Sequence, residues 1–378
     1  MALFMVKTWI GNKVAPIYGA EWAGTSDPSW VRTDAAVGFS APNPYYAGMS
    51  GTPSSPFDNI MPWAGMRRVT DASAGELVEI PKFYYKWTRD GVKMKLQISM
   101  SQFDGSHVSP AHADRGDGVG ERDYVYVGRY HCASDYKSKA GVVPVTNITR
   151  TSFATNIHNL ASNCYQIDYA MYWTICMLYL VEYASWNSQL NIGYGICESN
   201  NVLGNMGYTD TMPYHTGTNK TARNTYGLGV QYRYIEGLWD NCWDLLGGIY
   251  TYNGYVYVFK NLNDYALTHS SNKATNTNIY INTDGFAISF TELSNVSGLE
   301  YVMMAKANNN YSDDYATRYI TDTANFSASG TNRIIFGGNY DKNLSRGLFS
   351  VNGKIADTIS SVDVGSRLMV LPPSRLSA

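Results

Sequence analysis

One segment constrains the rest of the chain. Residues 166–190 read QIDYAMYWTICMLYLVEYASWNSQL. Apolar side chains fall on nearly every side of a 3.6-residue repeat, so a helix here has no face to give to water and must lie buried. Asp168 stands where a helix N-cap belongs. The most apolar stretch, 170–180, is interrupted by Thr174 and falls short of the ~20 residues that span a bilayer. Glu182 breaks the apolar surface and reads as a hydrogen-bonded core carboxylate rather than a catalytic one. Other elements must therefore wrap this helix.

Those elements are mostly strands. A shorter helix over 149–161 can start on a threonine cap. ELVEIPKFYYKWTRD and GVKMKLQISM flank Asp90-Gly91, a strong hairpin signal. DYVYVGRYHC, at 123–132, alternates as a strand does. After residue 190 the helical signal stops, and short strands, glycines and Asn-rich loops take over. Gly-Gly pairs at 247–248 and 337–338 read as tight turns or bulges. Helices in one region and strands elsewhere predict an α+β fold rather than a βαβ winding. Residues 1–58 hold short apolar pieces broken by Pro42, Pro44, Pro53 and Pro56, and read as a small N-terminal β-rich attachment or oligomerisation unit that docks on the main domain, a sister chain or a larger assembly. Residues 59–378 form the main domain.

The net charge of −2 offers no basic face for nucleic acid. Charged residues make up 16% of the chain, yet there are 31 tyrosines. Tyrosine suits contact surfaces because it is amphipathic and cheap to order; it also simply populates strands. The five cysteines (132, 164, 176, 197 and 242) fit no zinc spacing, and buried inert thiols are the default. No signal peptide is visible at the N-terminus, so a soluble protein without membrane insertion is expected. His107 and His112 have Pro110 between them and read as part of a polar loop rather than a metal site. Asp114, Asp117 and Glu121 do not follow the EF-hand spacing and read as a solvated turn. No phosphate-binding glycine loop stands in context. No catalytic residue, metal or cofactor is assigned.

Five segments in order carry a resemblance: GRYHCASDYKSKAGVVPVTNITRTSF, DYAMYWTICMLYLVEYASWNSQLNIGYG, IEGLWDNCWDLLGGIY, NRIIFGGNYDKNLSRGLF and VGSRLMVL. Together they resemble the C-type-lectin fold of the formylglycine-generating-enzyme type. In particular they look like phage tail receptor-binding proteins with this fold, among them the major-tropism-determinant-like variable proteins of diversity-generating retroelements. The resemblance covers about residues 60–378. It implies that Leu238, Trp239, Trp243, Leu245 and Leu246 pack a core near a tight Gly247-Gly248 turn. It also implies that Gly365, Ser366, Arg367 and Leu368 form a closing strand paired with an early one.

Between FGG and GSRL the family displays its surface residues, here near 305–365. In diversified members, mutation at adenines turns Asn codons into many others without stops. Asn339, Tyr340, Asp341, Asn343, Leu344, Ser345, Arg346, Phe349 and Ser350 fit that repertoire. So do Asn308, Asn309, Asn310, Tyr311, Ser312, Asp313 and Tyr315 in the preceding loop. A plain Asn/Ser-rich loop has the same composition. The late cysteine pair of the formylglycine-generating enzymes is missing, since no cysteine follows Cys242. The EPN- or QPD-type loop of calcium-dependent lectins is also missing. The resemblance thus implies a non-enzymatic phage or prophage tail-tip protein, found in the virion and made in the bacterial cytoplasm. It would be a homotrimer that contacts other tail proteins and binds a bacterial cell-surface receptor, protein or glycan. An altered enzyme of the superfamily and a purely structural virion protein are the alternatives.

Overall fold

The computed structural model describes residues 14–25, 27–195, 202–223, 229–267, 269, 272–281, 286–308, 322, 324–340 and 346–376. The architecture is α+β: among the described residues, three α-helices lie among many mainly antiparallel sheets.

The long helix α2 spans Tyr169–Tyr183, and every one of its residues is buried. Asp168 caps it, accepting the Met171 N–H at 2.8 Å. Helix α1, Arg150–His158, starts on Thr149, which accepts from the Ser152 N–H. The apolar pattern that runs on to residue 190 does not keep α2 going. Ala184 turns left-handed at φ 50° and closes the helix. The reason lies in the N-terminal segment. Arg32 donates to the carbonyls of Val181 and Glu182 at 2.7 and 2.5 Å. Trp30 N–H takes the Ala184 carbonyl at 2.8 Å, and Trp186 N–H takes that of Pro28 at 2.9 Å. The freed chain then forms a second short helix, α3, Ser188–Asn191.

These contacts also show what the described part of the N-terminal segment docks on. Over its described part, the segment up to residue 58 is woven into the main domain rather than set apart. Tyr18–Trp22 pairs with Lys93–Ser99 along its whole length. Tyr45–Tyr46 pairs in parallel with Gly217–Thr218. Trp22, Trp30, Ala36 and Phe57 are buried in the same core cluster as α2.

Two five-stranded sheets pack on this core. One runs in the order Val31–Asp34, Tyr18–Trp22, Lys93–Ser99, Tyr84–Asp90, His107–Val108. Its central hairpin turns at Gly91, with Asp90 facing Lys93, as the Asp-Gly signal predicts. The other runs Cys164–Gln166, Leu368–Val370, Tyr124–Gly128, Gly75–Pro81, Arg67–Asp71. The late strand Leu368–Val370 thus lies beside the early strand Tyr124–Gly128, but it starts later than expected: of 365–368 only Leu368 belongs to it, and Gly365 pairs with Asp244 instead.

A seven-stranded sheet forms the remaining large layer. Its path is Ala274–Tyr280, Tyr255–Phe259, Trp243–Tyr252, Thr331–Phe336, Val351–Gly353, Ala324–Phe326, with Val364–Gly365 against Trp243–Tyr252. Gly247 and Gly248 lie inside Trp243–Tyr252 as a bulge, not a turn: the register against Thr331–Phe336 shifts between Leu245 and Tyr250. Gly248 sits at φ 69°, and a Cβ there would lie 2.4 Å from the Tyr265 ring. Tyr265 in turn donates to Asp168 at 2.6 Å, so the bulge and the helix cap hold one another. Leu238, Trp239, Trp243, Leu245 and Leu246 are all buried core, as expected.

Three buried ion pairs tie distant segments together. Glu182 accepts from Arg233 Nε and Nη2 at 2.7 and 2.6 Å, from Tyr232 at 2.9 Å and from Ser55 at 2.7 Å, which makes it the structural carboxylate the sequence suggests. Arg367 Nε meets Asp244 at 3.0 Å, while Nη1 donates to the carbonyls of Gly128 and Glu236 and Nη2 to that of Gly237. Arg150 holds Asp357 with two bonds, 2.7 and 2.8 Å. Among the described residues no helix is long and apolar enough to cross a membrane.

Candidate binding surface

The expected display patch begins where Thr331–Phe336 ends. Gly337 N–H donates to the Ser350 carbonyl at 2.9 Å, and Phe336 faces Val351 across the sheet. Val351 also faces Ala324 in the parallel pair of Val351–Gly353 with Ala324–Phe326. Phe336, Val351 and Ala324 therefore mark one edge of the sheet. The segment 337–350 leaves and returns at that edge, and the segment that follows Met303–Asn308 returns there too.

A buried clamp joins the two. Asp322, 1% exposed, accepts the Phe349 N–H at 2.8 Å. Ser188 at the start of α3 accepts the Leu348 N–H at 2.9 Å. Tyr172 of α2 donates to the Leu348 carbonyl at 2.8 Å. Three glycines leave no room for change here. A Cβ on Gly337 would stand 2.2 Å from the Leu238 carbonyl oxygen, and its φ is 93°. On Gly338, at φ 119°, a Cβ would meet Arg346 Cβ at 2.6 Å. On Gly347 it would meet Asp322 Oδ1 at 2.5 Å. The brackets are packed scaffold.

Several expected display residues belong to that scaffold, which corrects the reading from sequence. Phe349 is fully buried, its ring 4.8 Å from that of Trp186. Ser350 is fully buried beneath the returning strand. Arg346 is 8% exposed, and its guanidinium lies over the Trp243 ring at 4.7 Å. Asn339 is 1% exposed and donates to Asp363 at 2.7 Å. None of the four can present a side chain to a partner while the fold is intact. Of the expected residues whose side chains are described, Tyr340 alone is partly exposed; its N–H donates to the Asn241 carbonyl at 3.2 Å. Asn308 ends the strand Met303–Asn308. Asp341, Asn343, Leu344, Ser345, Asn309, Asn310, Tyr311, Ser312, Asp313 and Tyr315 lie outside the described residues.

No protein-family model matches this sequence, and no curated protein is significantly similar to it. The functional reading therefore rests on the chain's own residues.

Sequence reasoning missed Asp322, Ser188, Asn241 and Asp363. Each acts on a backbone or side chain far away in sequence, and no local spacing marks it. Asn241 also ties in a further segment: its side chain donates to the Gly204 carbonyl and accepts the Gly204 N–H, both at 2.9 Å.

The described thiols are buried and unpaired with one another. Burial pushes Cys164 up to about 12 and holds Cys132, Cys176 and Cys242 still further above the ordinary thiol range. A nucleophilic or metal-binding cysteine needs the thiolate, and these sites oppose it. Cys197 lies outside the described residues. His112 is fully buried, with Ser109 at 2.7 Å and the Ile80 carbonyl at 2.9 Å, and burial lowers it to about 4. It is a core histidine in the buried 3-10 turn Pro110–His112, which corrects the polar loop expected from sequence. Among the described residues no group of three metal-ligating side chains comes together.

Proposed function

We propose that this chain is a binding protein of a phage or prophage tail tip, with a C-type-lectin fold of the formylglycine-generating-enzyme type, that presents segments 309–321 and 341–345 to a bacterial cell-surface receptor. One observation carries the reading. The clamp of Asp322 on Phe349 fixes the described residues that follow both segments at one sheet edge, where Gly337, Gly338 and Gly347 admit no side chain. Binding residues are commonly carried on loops set on a rigid scaffold. The first segment carries three tyrosines and two asparagines, and the second carries Asp341, Lys342, Asn343 and Ser345; such side chains suit contact with varied partners.

The resemblance adds a homotrimer, contacts with other tail proteins, a place in the virion and retroelement-driven diversification of the loops. Copies on one tip would multiply weak contacts, since linked sites raise avidity by about 10² to 10⁴. The altered-enzyme alternative is disfavoured by the buried, protonated thiols.

The test is adsorption of the labelled chain to a panel of bacterial strains, with and without Gly-Ser replacement of 341–345. The proposal predicts that a strain bound by the parent chain loses binding when the loop is replaced, with thermal unfolding unchanged. Binding that survives replacement of both 341–345 and 309–321 contradicts it.

A further inference from the structure

A second concave site lies away from that edge. It is a cleft of about 390 Å³, in the range of small-ligand sites, which run from about 300 to 1,000 Å³. The fold opens it for a plain reason. The edge strand His107–Val108 pairs with Tyr84–Asp90 for only two residues, and Pro110 then takes the chain into a 3-10 turn. The sheet edge beyond is faced by the segment 298–301 instead of another strand. Residue 301 lies just before Met303–Asn308.

Its lining combines aromatic faces with hydrogen-bond acceptors. Tyr84 and Tyr301 are both partly exposed. Tyr301 is held by an aromatic column: its ring stacks on Tyr169 at 6.2 Å, and Tyr169 stacks on Trp173 at 5.7 Å. The Glu300 carboxylate is oriented by the Gly298 N–H at 3.0 Å. Glu121 and Gln102 stand exposed on the opposite rim. Glu121 makes an ion pair with Lys82 at 4.0 Å, too long for a hydrogen bond. Among the described residues the lining holds two carboxylates and neither Lys nor Arg.

That chemistry selects a ligand class. A phosphate or carboxylate ligand would meet two carboxylates, with the His107 imidazole as the one basic side chain in the described lining. A purely apolar ligand would strip water from the carboxylates without replacing their hydrogen bonds. A pyranose satisfies both sets of groups: its C–H face covers a tyrosine ring, and its hydroxyls donate to carboxylate and amide oxygens. We propose that this cleft is a binding site for a neutral hexopyranose, with Tyr84 and Tyr301 as the platform and Glu300, Glu121 and Gln102 as the hydroxyl acceptors. The site does not rest on the display reading, because none of its residues belongs to the loops.

Saturation-transfer NMR on the full chain tests it, with glucose, galactose, mannose and N-acetylglucosamine as probes and choline as a control. At least one hexose receives saturation at its ring C–H protons. Glu300→Gln and Gln102→Ala, both on the rim, weaken that hexose about tenfold or more while thermal unfolding stays put. Loop replacement at 341–345 leaves the signal intact. No transfer to any hexose overturns the proposal. So does transfer that both rim variants leave unchanged, since the sugar then binds elsewhere. Binding of choline alone also overturns it, in favour of an aromatic cage for cations.

Discussion

Asp322 accepts the backbone N–H of Phe349 at 2.8 Å across a gap of 27 residues. The carboxylate is buried, and the amide it holds starts the turn into Val351–Gly353. One bond thus fixes where two long polar segments return to the sheet. A charged hydrogen bond of this kind is worth about 1.5–3 kcal/mol. Asp322→Ala should lower stability by that order, and Asp322→Asn by less because an amide oxygen still accepts. Denaturant unfolding of the three chains checks the ranking.

The glycine bed should be intolerant where the loop tip is not. Gly337→Ala forces a Cβ against the Leu238 carbonyl at a φ of 93°. A substitution incompatible with the native backbone costs more than about 1 kcal/mol. Tyr340→Ala, at a partly exposed position, should stay within about 0.5 kcal/mol. Equal losses for the two would mean that the bed is not rigid.

Asp240 gives the chain an unusual pH response. Burial, with Glu236 nearby, raises its carboxyl from 3.8 to about 7. The folded state therefore binds a proton that the unfolded state has released. This contribution is fully present below about pH 4 and is lost as pH rises to about 7, for a few kcal/mol in all. Asp244 acts in the opposite sense, since Arg367 and His131 hold its carboxyl below the ordinary value. Asp240→Asn should flatten the stability curve between pH 4 and 7 and raise stability at pH 8. A curve with unchanged slope would remove Asp240 from the account.

The latch of Arg367 on Asp244 closes the fold, because Arg367 also holds three backbone carbonyls from distant segments. Breaking a buried pair by removing one partner costs about 3–5 kcal/mol. Arg367→Met should lose stability on that scale. Adding Asp244→Asn should restore part of it, because the stranded carboxylate is gone. Urea unfolding of the single and double variants reads both terms.

What the sequence reveals and what it hides follow from distance along the chain. The start of α2 is legible because Asp168 and Met171 are neighbours, and the hairpin at Gly91 because its signal is two residues long. The end of α2 is not, because Arg32 and Trp30 reach it from about 150 residues away. The display patch is half legible for the same reason. Its irregular composition marks a loop, but Arg346 and Phe349 look like loop residues until Trp243 and Trp186 cover them. The N-terminal strands seem detached because their partners, Lys93–Ser99 and Gly217–Thr218, lie far downstream.

The central claim is that a fixed clamp carries variable loops. Sequencing this gene across many isolates of its source population, scored by codon, tests it most directly. The account predicts substitutions concentrated at adenines within 309–321 and 341–345. It also predicts that Asp322, Gly337, Gly338, Gly347, Phe349 and Ser350 stay fixed. Substitutions spread evenly along the chain, or falling on the clamp as often as on the loops, would contradict it.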